Sequence, residues 1–234
     1  MIPLPNWRIM YDGLSRVPLL RRILQTANIN HAYRSTYSVS SYITNLSYLA
    51  GNDGFSYIRD NVRANFIPEY DISSVALSEQ FNPLINIDIT WNNNFTSRAE
   101  IRKTRTVSLS LANNQISELM SEEVIMGIGY RFRDVQLIYR SGGAQRQLMS
   151  DLNVRADLSV RENLTIVRRL AEEGTQPTAG QTIISVNASA DYVISNRFDL
   201  RVFFDRVVNK PIVSLSYPTT NTSVGFSLRF TLIQ

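Results

Sequence analysis

Apolar and polar residues alternate with a period of two through most of this chain. The segment TNTSVGFSLRFTLIQ, residues 220–234, puts Thr220, Thr222, Val224, Phe226, Leu228, Phe230 and Leu232 on one side and Asn221, Ser223, Gly225, Ser227, Arg229 and Thr231 on the other. Successive side chains of a β-strand point to opposite faces, so this reads as a strand with one apolar and one polar face. Residues 151–161 repeat the pattern, with Leu152, Val154, Ala156, Leu158 and Val160 set against Asn153, Arg155, Asp157, Ser159 and Arg161. Residues 182–194 and 198–208 do the same, although Phe203 and Arg206 fall out of step. Residues 95–111 carry Arg98, Glu100, Arg102, Thr104, Thr106, Ser108 and Ser110 as one polar row, while Lys103 and Arg105 intrude on the other side. Residues 124–132 alternate cleanly, and shorter segments at 6–12, 27–43 and 84–91 complete nine predicted strands. A further strand around 70–81 is weakly signalled. One short helix is predicted over 14–25, from the LLRRIL stretch.

Strand length separates the possible all-β architectures. Strands of soluble sandwiches average about 5 to 6 residues, whereas most of these run near 11 or more. Eleven residues at about 3.3 Å each, tilted by about 40°, rise about 28 Å, which matches the apolar band of an outer-membrane barrel. Outer-membrane barrels also join their strands by short periplasmic turns and longer outer loops. With a periplasmic C-terminus, residues 209–219 and 162–181 become outer connections, and residues 92–94 and 195–197 become periplasmic turns. Two segments fit less well: 134–150 is long for the periplasmic side, and 45–83 must form one large external excursion. Trp91, Phe95, Tyr130, Phe132, Tyr192, Phe198 and Phe230 all fall at the same end of their strands, as an interfacial girdle of aromatic rings requires.

Composition narrows the functional classes. The chain is 44% hydrophobic and 19% charged, which excludes a disordered tract, and it has no cysteine for a disulfide or a thiolate metal site. Its net charge of +4 is spread along the whole sequence among 20 acidic residues, without the concentrated stripe of a nucleic-acid binder. Of the 24 basic residues, all but Lys103 and Lys210 are arginine. A planar, weakly hydrated guanidinium suits crowded polar surfaces where each charge meets a partner. No segment reaches the roughly 18 to 20 uninterrupted apolar residues of a membrane helix.

Candidate chemistry is sparse. The single histidine, His31, has no nucleophile elbow beside it and no second histidine with which to hold a metal. The acidic pairs Glu122-Glu123 and Glu172-Glu173 fall in predicted loops, and Gly127-Ile128-Gly129 lies within a strand, where it cannot open a phosphate-binding helix. An enzyme is not expected, nor a catalytic, cofactor or metal site. The charged residues of the polar rows, Arg98, Glu100, Arg102, Arg131, Arg155, Asp157, Asp191, Arg201, Asp205 and Arg229, are the candidates for the lining of a water-filled lumen.

Several stretches together resemble the C-terminal part of the SprA/Sov family, the outer-membrane translocon of the type IX secretion system of Bacteroidota. They are NHAYRSTYSVSSY (30–42), SEQFNPLINIDITW (78–91), NNQISE (113–118), GIGYRFRD (127–134), QPTAGQ (176–181) and ADYVISNRFDLRVFFDRVVNKPIVSLSYPTTNTSVGFSLRF (190–230). The resemblance implies an outer-membrane conduit that carries folded cargo proteins to the cell surface. It also implies an outer-membrane shuttle protein and a periplasmic plug as partners, and a link to gliding motility in some species.

Nine is an odd number where single-chain bacterial barrels have even ones, and residues 1–13 lack the charged and apolar regions of a secretory signal. An open sheet in lipid would leave edge groups unpaired at several kcal/mol each. The expectation is therefore an all-β chain forming the C-terminal part of a larger antiparallel transmembrane β-barrel, with the remainder of the barrel and the lipid bilayer as partners. The contrasting expectation is a soluble or surface-exposed β-sheet binding module, which predicts shorter strands and extraction without detergent.

Overall fold

The computed structural model describes residues 5–62, 64–141, 144–170, 177–195, 198–213 and 216–230. Among them the order is β1 (Trp7–Tyr11), a 3-10 turn (Gly13–Arg16), β2 (Leu24–Thr44), β3 (Tyr70–Trp91), β4 (Phe95–Ser110), β5 (Gln115–Ser141), β6 (Ala144–Arg169), β7 (Pro177–Ser195), β8 (Phe198–Val213) and β9 (Thr219–Phe230). All nine strands join one antiparallel sheet in sequence order, β1 through β9. The all-β, antiparallel expectation holds. The sheet is not closed: β1 and β9 are its two edges.

The helix expected over 14–25 is absent. Its place is taken by the 3-10 turn at Gly13–Arg16 and by separate turns closed by Arg21 N–H to the Val17 carbonyl at 2.9 Å and Leu24 N–H to the Leu20 carbonyl at 2.9 Å. Pro18 explains the interruption, because it lacks an N–H and pushes the residue before it out of the helical region. Val17 is accordingly extended, at φ −67° and ψ 125°.

The excursion expected over 45–83 shrinks to residues 45–69. Residues 70–91 form one strand, interrupted where the register with β4 shifts between Phe81 and Ile85. Pro83 lies within that shift, and a residue without an N–H cannot hold a regular ladder position. The peptide bond before it is cis.

β5 and β6 are also longer than predicted, at 27 and 26 residues. Glu122 and Glu123, expected in a loop, sit within β5 opposite Glu162 and Arg161, whereas Glu172 and Glu173 lie outside the described residues. Residues 134–141 and 144–150 are not a connection but the two arms of a hairpin. Beyond Phe132 and Leu152 the two strands pair only with each other, after a register shift between Phe132 and Val135 that places Asp134 at φ 54°. The extra residue is a β-bulge, and an aspartate tolerates the left-handed conformation better than most side chains.

Between these register shifts, rows of facing residues carry each face across the middle of the sheet. Asn28, Asp88, Arg98, Gly127, Asp157, Asn187, Asp205 and Ser223 form one row of facing residues through eight strands. The next row, on the opposite face, is Ala27, Ile89, Ser97, Ile128, Ala156, Ala188, Phe204 and Val224. Among the described residues no second layer covers either face. Among the described residues, the buried hydrophobic side chains are few, and Phe226 on the apolar face is 72% exposed.

Candidate functional site

All ten charged residues expected to line a lumen fall on the polar face. Arg98, Asp157 and Asp205 share the row described above, and Arg131 lies in the row of Asn153, Asp191, Arg201 and Ser227. Arg155 faces Gly129 and Ser189, Glu100 faces Asn86 and Ile125, Arg102 faces Glu123, and Arg229 faces Asp199. Strand alternation, together with a register preserved from β2 to β9, is what brings these residues to one surface.

A chain of ion pairs crosses this face from β3 to β6. Arg98 reaches Asp88 at 3.7 Å and is ion-paired with Glu100. Arg102 meets Glu100 at 2.5 Å and Glu123 at 3.4 Å, and Arg161 meets Glu123 at 2.8 Å. Glu100 and Glu123 are 3% and 7% exposed, each held between two guanidinium groups that remain partly open to solvent. Burial of a carboxylate is tolerable when it is paired and hydrogen-bonded in this way. Arg201 approaches Asp191 at 3.6 Å, and Arg131 bonds Asp151 at 2.5 Å through Nη2 and 2.8 Å through Nε.

Glycine makes room for these long side chains. A Cβ on Gly127 would collide with the Asp157 carboxylate, and one on Gly129 would sit 2.5 Å from Thr96 Oγ1. Phe203, which breaks the sequence pattern, lies on the polar face with its ring across Gly225, where an added Cβ would fall 2.7 Å from Cζ. An aromatic ring laid over a cross-strand glycine covers backbone that would otherwise be bare. Beside it, Arg155, Asp157, Arg201, Asp205 and Ser227 surround an open cleft of about 350 Å³.

The opposite face has a sharp border. Val124 through Phe132 on β5, Leu152 through Val160 on β6 and Ile184 through Tyr192 on β7 present apolar or aromatic side chains at alternate positions. The next register row is Lys103, Glu122, Glu162, Thr182 and Lys210, in which Lys103 and Glu122 are ion-paired. One row further, Arg105 bonds Glu118 at 2.6 Å and lies 3.8 Å from Glu79, and Arg168 reaches Glu118 at 3.5 Å. Lys103 and Arg105 therefore belong to a charged belt above the apolar band. On β3 the first charged residue is Glu79, level with Arg105, and on β8 it is Arg206, level with Ala99 through Val186, Leu158 and Met126. On β4, β5 and β6 the border stays in the row of Lys103, Glu122 and Glu162, but between β3 and β8 it drops by about six residues, about 20 Å, across five strand spacings, about 24 Å, an average slope of about 40° from the perpendicular to the strands.

The seven aromatic residues expected as a girdle gather at the end of the sheet remote from this belt. Tyr130 and Phe132 meet edge to face at 4.6 Å, and Phe198 and Phe230 at 6.3 Å. The Trp91 indole donates to Ser97 Oγ at 3.0 Å, and Phe95 faces Tyr130 across the ladder. Tyr192 is instead covered, at 4% exposure, and donates its hydroxyl to the Val135 carbonyl at 3.0 Å, tying β7 to the base of the β5–β6 hairpin.

His31 carries no constellation: its Nδ1 lies 2.5 Å from the Leu84 carbonyl oxygen and its ring packs near Trp7 and Phe81. Among the described residues, no group of three His, Cys, Asp or Glu side chains is placed to hold a metal ion. Sequence reasoning missed Asp88, Glu123 and Arg161 as members of the ion-pair chain. Arg161 already sat on a polar row and Asp88 within the predicted strand 84–91, but Glu123 was assigned to a loop.

Comparison with protein-family models and with curated proteins gives no match for this chain.

Proposed function

We propose that this chain is part of the wall of a large outer-membrane β-barrel that conducts proteins, with the polar face toward a water-filled lumen and the apolar face toward lipid. The observation that carries this reading is the oblique border of the apolar band. A band that lies level in a membrane must depart from the perpendicular to the strands by their tilt angle, and barrel strands tilt by about 35–45°. Nine residues of apolar alternation at about 3.3 Å each, tilted by about 40°, span about 23 Å, close to the outer-membrane band of about 25 Å. The polar face fits a wet lumen, since its charges are interleaved and mutually paired and do not pack into a dry core.

The free edges at β1 and β9 then pair with further strands of the same barrel, because unpaired edge groups in lipid cost several kcal/mol each. The resemblance to type IX secretion translocons supplies the cargo class, folded proteins bound for the cell surface, and the shuttle and plug proteins as partners. The described strands of 16 to 27 residues in β2 through β8 count against a soluble binding module.

The test is export. Replacing the gene segment for residues 190–230 with a scrambled sequence of the same composition leaves folded cargo in the periplasm if the reading is right. Undiminished surface display of cargo contradicts it.

A further inference from the structure

We propose that the lobe between β2 and β3 carries a binding site for the cationic side chain of a lysine or arginine presented by a polypeptide. This inference does not depend on the conducting function proposed above.

The lobe is a folded unit. Asn45 N–H donates to the Glu69 carbonyl at 2.9 Å and closes its neck, and two isolated bridges, Ala50 with Ser56 and Arg59 with Phe66, brace its interior. Tight bonds within it include Gly51 N–H to the Phe55 carbonyl at 2.8 Å and Ile67 N–H to the Ile58 carbonyl at 3.0 Å. Compact surface loops that hold themselves together in this way are frequently functional.

Its open cavity is about 580 Å³, within the range of small-ligand sites. Four aromatic rings, Tyr48, Phe55, Tyr57 and Phe66, and two carboxylates, Asp53 and Glu69, line it, and among the described residues the lining includes no lysine or arginine. Phe55 is 72% exposed and Tyr57 is 67% exposed, although an exposed aromatic ring loses by contact with water. The Tyr57 ring lies directly over Gly51, where an added Cβ would strike it, and a third ring of the cavity is anchored as Tyr48 donates its hydroxyl to the Gly54 carbonyl at 2.8 Å.

Aromatic faces carry negative charge density, so a cage of rings beside carboxylates selects a cation with an apolar stem, which lysine and arginine both have. The lobe itself provides a precedent, since the guanidinium carbon of Arg59 lies 4.5 Å from the centroid of the Phe66 ring. Charge complementarity points the same way. Between Asn45 and Asp71 the chain has Asp53, Asp60, Glu69 and Asp71 against Arg59 and Arg63, so the region is acidic within a chain of net charge +4. Next to the cavity, the Tyr70 phenol is held above its ordinary pKa by its hydrogen bond to Glu69 and by that carboxylate's charge.

The test uses the full chain in detergent micelles and three probes: acetyl-Gly-Arg-Gly-amide, its glutamine counterpart, and methyl β-glucopyranoside. Saturation-transfer NMR reports their binding. The arginine peptide is expected to bind about tenfold more tightly than the glutamine peptide, and Asp53→Asn combined with Glu69→Gln is expected to remove that preference. Tyr57→Leu weakens the arginine peptide while leaving the two carboxylates in place. Asp60→Asn, the same loss of charge outside the cavity, leaves it unchanged and controls for a general effect of acidity. Equal binding of the two peptides, tighter binding of the glucoside, or an unchanged preference in the double variant overturns the proposal.

Discussion

An arginine placed on either side of β7 distinguishes the two faces at neighbouring positions. Ala188 faces Ala156 and Phe204 near the middle of the apolar band, which on this strand runs from Ile184 to Tyr192. Asn187, one residue earlier, faces Asp157 and Asp205 on the polar side. If the apolar face meets lipid, Ala188→Arg costs about 2–4 kcal/mol, the penalty of an arginine on the lipid side of a barrel at the midplane. That is a factor of about 30 to 700 in the folding constant. Asn187→Arg gains two facing carboxylates in a solvated setting and changes stability by about 1 kcal/mol or less, in the favourable direction. Urea titration in phospholipid vesicles, followed by the heat-sensitive electrophoretic mobility of folded protein, measures both variants. A cost for Asn187→Arg equal to or larger than that for Ala188→Arg would refute the assignment of the faces.

Further outcomes follow from the polar face. Gly225→Ala drives a Cβ to 2.7 Å from the far end of the Phe203 ring, which lies on an uncovered face and can shift, so the expected cost is about 1 kcal/mol, read as a lower urea midpoint. The double change Gly225→Ala with Phe203→Ala recovers much of that loss, whereas an additive loss contradicts the contact. Glu123→Gln leaves Arg102 and Arg161 without their shared carboxylate. Because both guanidiniums are roughly a third to a half exposed, the expected cost is about 1–2 kcal/mol, below the 3–5 kcal/mol of a fully buried pair. A variant as stable as the parent would show that the ion-pair chain does not support the sheet.

Legibility in the sequence followed the chemistry of each segment. Strands β6, β7 and β9 were plain because one face is apolar and the other polar over the whole predicted run, from Leu152 to Val160 for example. The register then brought the ten predicted polar-face residues together, although none of them identifies its own cross-strand partner in sequence. The upper parts of β5 and β6 were obscured because the apolar-side positions there hold Glu118, Glu122 and Glu162, so the backbone continues as a strand after hydrophobic alternation has stopped. Cross-strand ion pairs to Lys103, Arg105 and Arg168 replace apolar contact in that region. β3 appeared as two pieces because Asn82-Pro83 breaks its ladder without ending the strand. The false helix arose from leucine and isoleucine at helical spacing in LLRRIL, where Pro18 and pairing of Leu24 with Trp91 prevail over local propensity. Nothing in the alternation signalled the folded lobe at 45–69, whose structure rests on turns and not on a hydrophobic period.

The central claim, a sheet with water on one side and lipid on the other, is most directly tested on β9. Because the chain contains no cysteine, single cysteines can be placed in turn at Val224, Gly225, Phe226, Ser227, Leu228 and Arg229 without removing a native one. A spin label at each site in the protein reconstituted into phospholipid vesicles is then probed with oxygen, which concentrates in lipid, and with a water-soluble nickel chelate. The account predicts alternation with a period of two, in which labels at 224, 226 and 228 are oxygen-accessible and labels at 225, 227 and 229 are chelate-accessible. Chelate accessibility at both parities, or alternation of the opposite phase, would contradict it.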